Sequence, residues 1–99
     1  MKKTNKSKQV AQMFKAMGLP VRIAIIELLA ESDQLSVTEI FTTIKIKQTI
    51  ASHHLNILKR RGILSSKRVG KNTFYSVTHP GIMKAIKGIQ ESVKVIIEE

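Results

Sequence analysis

The sequence contains no cysteine, few acidic residues and no long apolar run. Without cysteine the chain can form no disulfide, no thiolate metal site and no thiol-based redox centre. The most apolar stretch, residues 23–29, is interrupted by Glu27 and falls far short of the roughly 20 residues that cross a bilayer. Polar residues follow the first lysines, where an export signal would need its apolar part. We therefore expect a soluble, cytoplasmic protein.

The composition is that of one small domain with a strongly basic surface. Hydrophobic residues make up 42% of the 99 positions, which is enough for a packed core but not for two domains. The formal net charge of +10 indicates a polyanionic partner, either nucleic acid or an anionic membrane surface. We expect residues 1–7 to be a basic, disordered N-terminus and residues 8–99 to form a single domain.

Apolar spacing in the first third of the chain predicts two helices. A helical stripe over residues 10–17 ends at Gly18. Pro20 then opens a second helix, whose apolar side chains cover most of its circumference, so this helix must be buried. A short extended strand is expected at Leu35.

Capping signals define two further helices. Ser36 stands three residues before Glu39, which is a capping-box signature for a third helix from Val37 to about Ile44. A fourth helix is predicted from Lys47 to Arg61, with Gly62 as its C-cap.

Turn residues mark the last two elements. Residues 63–69 and 73–78 are rich in β-forming side chains and flank Gly70-Lys71-Asn72, which predicts a β-hairpin. Pro80 starts a final helix whose apolar residues have the heptad-like spacing of a helix that packs along another helix. The predicted fold is mainly α with a β-hairpin, in the order α-α-(β)-α-α-β-β-α.

Acidic residues are absent from a long central segment. No aspartate or glutamate occurs between residues 40 and 90, where ten of the lysines and arginines lie. A surface built only for solubility mixes both signs, so this segregation indicates a face for an anion. The alternative is a solvated, lysine-rich face that has no partner.

The fourth helix has a polar and an apolar side when it is projected along its axis. The polar side combines short hydrogen-bonding side chains with cations: Thr49, Ser52, His53, Asn56, Lys59 and Arg60. Reading base edges in a major groove requires this combination. The other side consists of Ile50, Ala51, His54, Leu55, Ile57 and Leu58. Because the core needs this apolar side, we expect no membrane partner.

The two adjacent histidines have different expected roles. His53, on the polar side, is either a DNA contact or a plain surface residue. His54, on the apolar side, is expected to be a buried and hydrogen-bonded histidine. Neighbouring side chains on a helix diverge by about 100°, so the pair cannot hold a metal ion jointly.

Four runs of residues from the segments described above together resemble the ArsR/SmtB family of arsenic-responsive repressors. The resemblance extends from about residue 13 to residue 78, and it is carried by the runs 35–40, 48–58, 62–64 and 74–75. It implies a winged helix-turn-helix fold, with the fourth helix in a major groove and the hairpin wing beside the DNA backbone. It also implies a dimer joined by the first and last helices.

Positions that match the family give candidate site residues. The resemblance implies that bases or adjacent phosphates are contacted by Gln48, Thr49, Ser52, His53 and Asn56. It implies phosphate contacts by Lys59, Arg60, Lys67, Arg68, Lys71 and, on the third helix, Thr38. The apolar stripes of the terminal helices would otherwise be exposed, so they predict a homodimer interface. That interface comprises Val10, Met13, Phe14, Met17, Ile82, Ile86, Ile89, Val93 and Ile96.

The sites with which many members of this family bind metals lack their ligands. Residues 38–41 contain no cysteine where those members carry thiolates on the third helix. At the last helix the chain offers one histidine, His79, which we expect to cap the helix that Pro80 begins. Three methionines could bind a soft metal, although core packing explains them better: Met13, Met17 and Met83. We predict no metal and no cofactor, and the sequence identifies no effector.

The function predicted from these observations is a sequence-specific transcriptional regulator. It would bind double-stranded DNA as a homodimer and repress from an inverted-repeat operator. The alternative is a winged-helix module that binds a protein or RNA without operator specificity. An enzyme is not expected, because the chain lacks cleft-spaced carboxylate pairs, cysteine and a glycine-rich phosphate loop.

Overall fold

The computed structural model describes residues 2–98 as five helices and a three-stranded antiparallel sheet. The helices are α1 (Lys2–Met17), α2 (Pro20–Ala30), α3 (Val37–Ile44), α4 (Gln48–Arg60) and α5 (Pro80–Glu98). The strands are β1 (Leu35–Ser36), β2 (Leu64–Val69) and β3 (Asn72–Val77), and their order in the sheet is β1-β3-β2. The predicted order of elements is confirmed.

The N-terminal helix is longer than predicted. We expected order to begin near Lys8, whereas α1 is continuous from Lys2. No proline or glycine occurs before Gly18, and the lysines and glutamines of this segment are good helix formers, so nothing interrupts the helix. Met1, also part of the predicted disordered segment, lies outside the described residues.

Two predicted N-caps are confirmed by their hydrogen bonds. Ser36 Oγ accepts from the amide of Glu39 at 3.1 Å, and Glu39 Oε1 accepts from the amide of Ser36 at 2.9 Å. These reciprocal bonds form the capping box of α3. At the start of α5, His79 Nδ1 accepts from the amide of Gly81 at 2.9 Å, so His79 caps this helix as expected.

The C-terminal end of α4 is closed by glycine, also as predicted. Gly62 has a φ of 78°, a left-handed conformation that favours glycine. Its amide donates to the carbonyl of Lys59, and the amide of Ile63 donates to the carbonyl of Leu58, both at 3.0 Å. This pair of bonds is a Schellman motif, which ends α4 and turns the chain into β2.

The hairpin turn is one residue shorter than predicted. Val69 pairs with Asn72, which leaves a two-residue turn that begins at Gly70. Gly70 has a φ of 62° and the residue after it has a negative φ, the sign pattern of a type II′ turn. On the other side of β3, Ser36 of β1 lies opposite Phe74, and this pairing joins the hairpin to the start of α3.

One hydrophobic core draws on all five helices and on β2. Its largest fully buried side chains are Ile25, Ile26, Leu29, Ile40, Leu55, Leu58, Ile63 and Leu64. Three of them belong to α2, which confirms that this helix is the buried one. Complete burial of such a side chain is worth about 1.5–3 kcal/mol, so this cluster holds α4 and the start of the hairpin against the other helices.

Candidate nucleic-acid interface

Helix α4 is held by one side and presents the other side to solvent. Ala51, Leu55 and Leu58 are completely buried, and their spacing of four and three residues defines the packed side. The seven residues of α4 that were predicted to contact DNA are all exposed: Gln48, Thr49, Ser52, His53, Asn56, Lys59 and Arg60. The exposed side therefore carries hydrogen-bonding groups and cations without any carboxylate.

The turn between α3 and α4 determines where the first residues of α4 lie. Lys45 has a φ of 65°, a left-handed conformation that residues other than glycine rarely adopt. The amides of Lys45 and Ile46 both donate to the carbonyl of Phe41, at 2.9 and 3.1 Å. These bonds end α3 sharply, so that only three residues separate it from α4.

The remaining predicted DNA contacts lie on two other elements. Thr38 is exposed in the first turn of α3, Lys67 and Arg68 are exposed on β2, and Lys71 is exposed in the hairpin turn. Arg68 Nε donates to the carbonyl of Gly70 at 3.3 Å, so its side chain follows the turn. The structure thus groups seven of the eleven predicted residues on one helix face and leaves four on α3 and the wing.

Three exposed residues close to this face were not among the candidates from the sequence. Lys45 and Lys47 flank the turn before α4, and their position in a helix-turn-helix could have indicated a phosphate contact. Ile50 was expected on the buried side of α4 but is 44% exposed. It lies about 100° round the helix from the centre of the buried line, and it belongs to the first turn.

His54 lies at the boundary between the two sides of α4. Its Nδ1 accepts a hydrogen bond from Arg22 Nε at 3.0 Å, and Arg22 Nη1 donates to the carbonyl of Ala16 at 2.9 Å. The expected hydrogen bond is confirmed, although the imidazole is half-buried rather than fully buried. Burial, followed by the positive charge of Arg22 and by His53, lowers the pKa of His54 from its ordinary value.

The residues predicted to form the dimer interface fall into two groups. Met17, Ile82 and Ile86 are at most 8% exposed and already belong to the core of their own chain. The largely exposed members, at 45–71%, are Val10, Phe14, Ile89, Val93 and Ile96, while Met13 is half-buried. The predicted stripe is therefore shared between the protomer's core and its surface.

The second half of α5 is the most apolar exposed part of the chain. Ile89, Val93, Ile96 and Ile97 continue the line of Ile82 and Ile86 beyond the core, and they are 45–76% exposed. An apolar cleft between α1 and α5 lies beside the buried end of this line. None of the helices within residues 2–98 combines the length and apolar character needed to cross a membrane.

Comparison with known proteins gives one consistent family. Residues 20–66 match the sequence profile of the arsR family of bacterial regulatory proteins. An uncharacterized HTH-type transcriptional regulator from Methanocaldococcus jannaschii is 38% identical over 86 residues, which cover 87% of this chain and 97% of that protein. The transcriptional repressor PagR of Bacillus anthracis is 36% identical over 84 residues, which cover 81% of this chain and 83% of that protein.

A solved structure has the same architecture over nearly the whole chain. It is the homodimeric winged helix-turn-helix DNA-binding domain of Mb0332 from Mycobacterium bovis, described as a possible ArsR-family transcriptional regulator. The TM-score is 0.86 at 27% identity, over 97% of this chain and 88% of that domain. The predicted winged helix-turn-helix fold is confirmed.

Proposed function

Because the chain belongs to the ArsR family of bacterial regulatory proteins, we propose that it is a sequence-specific, DNA-binding transcriptional repressor. The observation that carries this proposal is the exposed side of α4, where seven polar or cationic side chains share one face. Short side chains there can reach base edges, while cations lie over the adjacent phosphates. The name of its relative PagR, a repressor, supports the direction of regulation.

The proposed contacts are of two kinds: base recognition, called reading here, and phosphate binding, called holding. Bases or the phosphates beside them are contacted by Gln48, Thr49, Ser52, His53 and Asn56. Phosphates are held by Lys59, Arg60, Lys67, Arg68, Lys71 and Thr38. The exposure of all eleven side chains supports this assignment, because none of them has to leave the core to reach DNA.

The repressor acts as a homodimer in this proposal. Val10 and Phe14 on α1 and the second half of α5 expose apolar area that a second copy would cover. The homodimeric state of the Mycobacterium bovis domain supports the same arrangement. A two-fold dimer presents two copies of α4, so its operator is an inverted repeat with half-sites about one helical turn, or a small multiple, apart. Residues 8–99 serve both DNA binding and dimerisation as one domain.

The proposed repressor does not respond to metals through the sites typical of its family. The chain has no cysteine, and Nδ1 of His79 already accepts the amide of Gly81 at the start of α5. Among residues 5–97, whose side chains the structure describes, no group of three His, Asp or Glu side chains is placed to hold a metal ion. Zinc, cadmium or arsenite should change operator affinity by less than about threefold. A stoichiometric metal complex that releases DNA in a titration would contradict this.

Selection of genomic fragments by the purified protein tests the proposed function. Sequencing of the bound fragments should reveal an imperfect inverted repeat. A titration on that repeat should give an affinity that falls steeply with salt, because phosphate contacts release counterions. Fragments without a shared motif, together with weak salt dependence, would replace the repressor by the alternative, a winged-helix module that binds a protein or RNA.

A further inference from the structure

The side chain of Arg22 links its own helix, α2, to two other helices. It lies in the first turn of α2, donates from Nε to His54 Nδ1 on α4 at 3.0 Å, and donates from Nη1 to the carbonyl of Ala16 on α1 at 2.9 Å. A guanidinium is planar and fixes the directions of its N–H groups, so the two bonds constrain α4 relative to α1. Arg22 is half-buried, and these two bonds hold its guanidinium inside the protomer.

Both acceptors suit this arrangement. The carbonyl of Ala16 lies in the last turn of α1, where carbonyls lack partners within the helix, and the arginine satisfies it. His54 Nδ1 can accept only while it carries no proton, which places the ring proton on Nε2. Burial lowers the pKa of His54 from its ordinary value, and Arg22 from α2 and His53 from its own helix act in the same direction.

The hydrogen bond from Arg22 to His54 lies where it can limit the rotation of α4 about its packed side. The fully buried contacts of this helix come from one line of three residues, Ala51, Leu55 and Leu58, about which a helix can roll. His54 lies beside this line at the middle of the helix. Among the side chains of residues 5–97, no other one on α4 hydrogen-bonds to another helix. At its far end the bond reaches α1, which carries exposed Val10 and Phe14.

We propose that Arg22 and His54 are a positioning pair that sets the angle of α4 relative to the dimer surface. This inference rests on the proposed function, because it concerns how two copies of α4 match two half-sites. Neither residue has to touch DNA. Protonation of His54 would turn its Nδ1 into a donor facing Arg22 and would break the link.

Arg22→Gln and Arg22→Lys test the link directly. Both variants lose the rigid two-donor geometry, so both should bind the operator about tenfold more weakly than the wild type at about pH 7.5. Affinity for random DNA and the slope of log affinity against log salt should stay unchanged. In a library of operators with altered half-site separation, both variants should also accept a wider range of spacings.

His54→Asn provides a rescue and a pH profile. Asparagine places an acceptor oxygen near the position of Nδ1 but does not titrate, whereas His54→Leu removes the acceptor. The bond is present while His54 is neutral and is lost as the pH falls through its lowered pKa. Wild-type operator affinity divided by that of His54→Asn should therefore fall about tenfold between about pH 7.5 and about pH 5. Taking this ratio removes the pH effects that the two proteins share. His54→Leu should bind weakly throughout, and a control, His79→Asn, should keep the wild-type profile.

The outcomes separate this inference from the proposed function. A wild-type protein without operator preference contradicts the proposed function before any variant is made. Suppose that the wild type prefers its operator, and that Arg22→Lys and His54→Leu are less stable in urea but keep its operator affinity and half-site spacing. The pair then has no positioning role. If Arg22→Gln weakens binding to all DNA and lowers the salt slope while Arg22→Lys does not, Arg22 is a phosphate contact.

Discussion

Helix α4 and the second half of α5 each expose a full side to solvent, but the two sides are chemically opposite. On α4, apart from Ile50, the exposed residues are polar side chains and cations, from Gln48 to Arg60. On α5 they are branched apolar side chains, with Val93 45% and Ile97 76% exposed. Helix α4 buries its opposite side in the core, and α5 buries residues of its first half in the same core.

The contrast indicates two kinds of association. A polar side remains hydrated without cost, and its binding to a polyanion weakens as salt increases. An apolar side gains about 25 cal/mol for each Å² removed from water, and salt has little effect on that gain. We therefore expect a dimer that persists across salt concentrations and a DNA complex that does not.

The largest expected effect is on the dimer. Val93→Asp puts a charge into the exposed apolar line of α5 and should weaken the dimer about 100-fold or more, because a carboxylate cannot be buried there unpaired. Sedimentation equilibrium at micromolar concentration measures this. Operator affinity should fall with it, because a monomer holds only one half-site.

Val95→Asp is the matched control for that substitution. Val95 is 59% exposed but lies on the other side of α5, away from the line of Ile89 and Val93. The dimer should therefore change by less than about threefold. Equal dissociation by both substitutions would show that the line does not define the interface.

The next largest effect concerns the reading residues of α4. Ser52→Ala or Asn56→Ala should cost about 1–3 kcal/mol on the operator and little on random DNA, because each loses base-edge bonds while phosphate contacts remain. Competition titrations with both DNAs measure the two affinities. Ser92→Ala, on the exposed surface of α5, should alter neither. A loss shared equally by operator and random DNA would argue against base reading.

A smaller effect is expected for the wing. Arg68→Ala or Lys71→Ala should weaken binding to all sequences alike and lower the magnitude of the salt slope by about 1 per charge per subunit. Affinities measured over a range of salt concentrations give this slope. If these variants changed base preference while Ser52→Ala did not, reading and holding would be assigned to the wrong elements.

The smallest effect concerns the turn that precedes α4. Lys45→Gly relieves the left-handed conformation at a φ of 65° and should raise the free energy of unfolding by about 0.5–1 kcal/mol. Urea unfolding at fixed protein concentration measures this. Lys47→Gly removes the same charge at a φ of −68°, where glycine relieves nothing, and it should give no gain. Stabilisation by both would indicate relief of charge repulsion instead.

Features set by neighbouring residues were predictable from the sequence. The capping box of Ser36 and Glu39, the glycine end of α4 and the histidine cap of α5 each depend on groups within a few positions. The order of elements follows from these signals together with apolar spacing. A helical projection, which separates polar from apolar sides, marked six of the candidate residues on α4. Gln48 and the candidates on α3 and the wing came from the resemblance to the family, and the roles of all of them remain predictions.

Local sequence patterns did not predict contacts between residues far apart in the chain, nor where the hydrophobic core ends. Arg22 and His54 are 32 positions apart, and no local pattern marks them as partners. The spacing of apolar residues on α5 reveals one stripe, but not that the stripe leaves the core after Ile86. Ile50 was misassigned because a projection treats all turns alike, whereas the first turn of α4 extends past the packed residues.

Ser36 belongs to two elements at once. Its backbone pairs with Phe74 in the middle of β3, and its side chain caps α3. Separation of β1 from β3 would therefore disturb the hydrogen bonds that begin α3, and fraying of α3 would loosen the strand. In hydrogen-exchange terms, we therefore expect the middle of β3 and the first turn of α3 to open together as one cooperative unit. The hairpin tip around Gly70 lies outside that unit and can open alone.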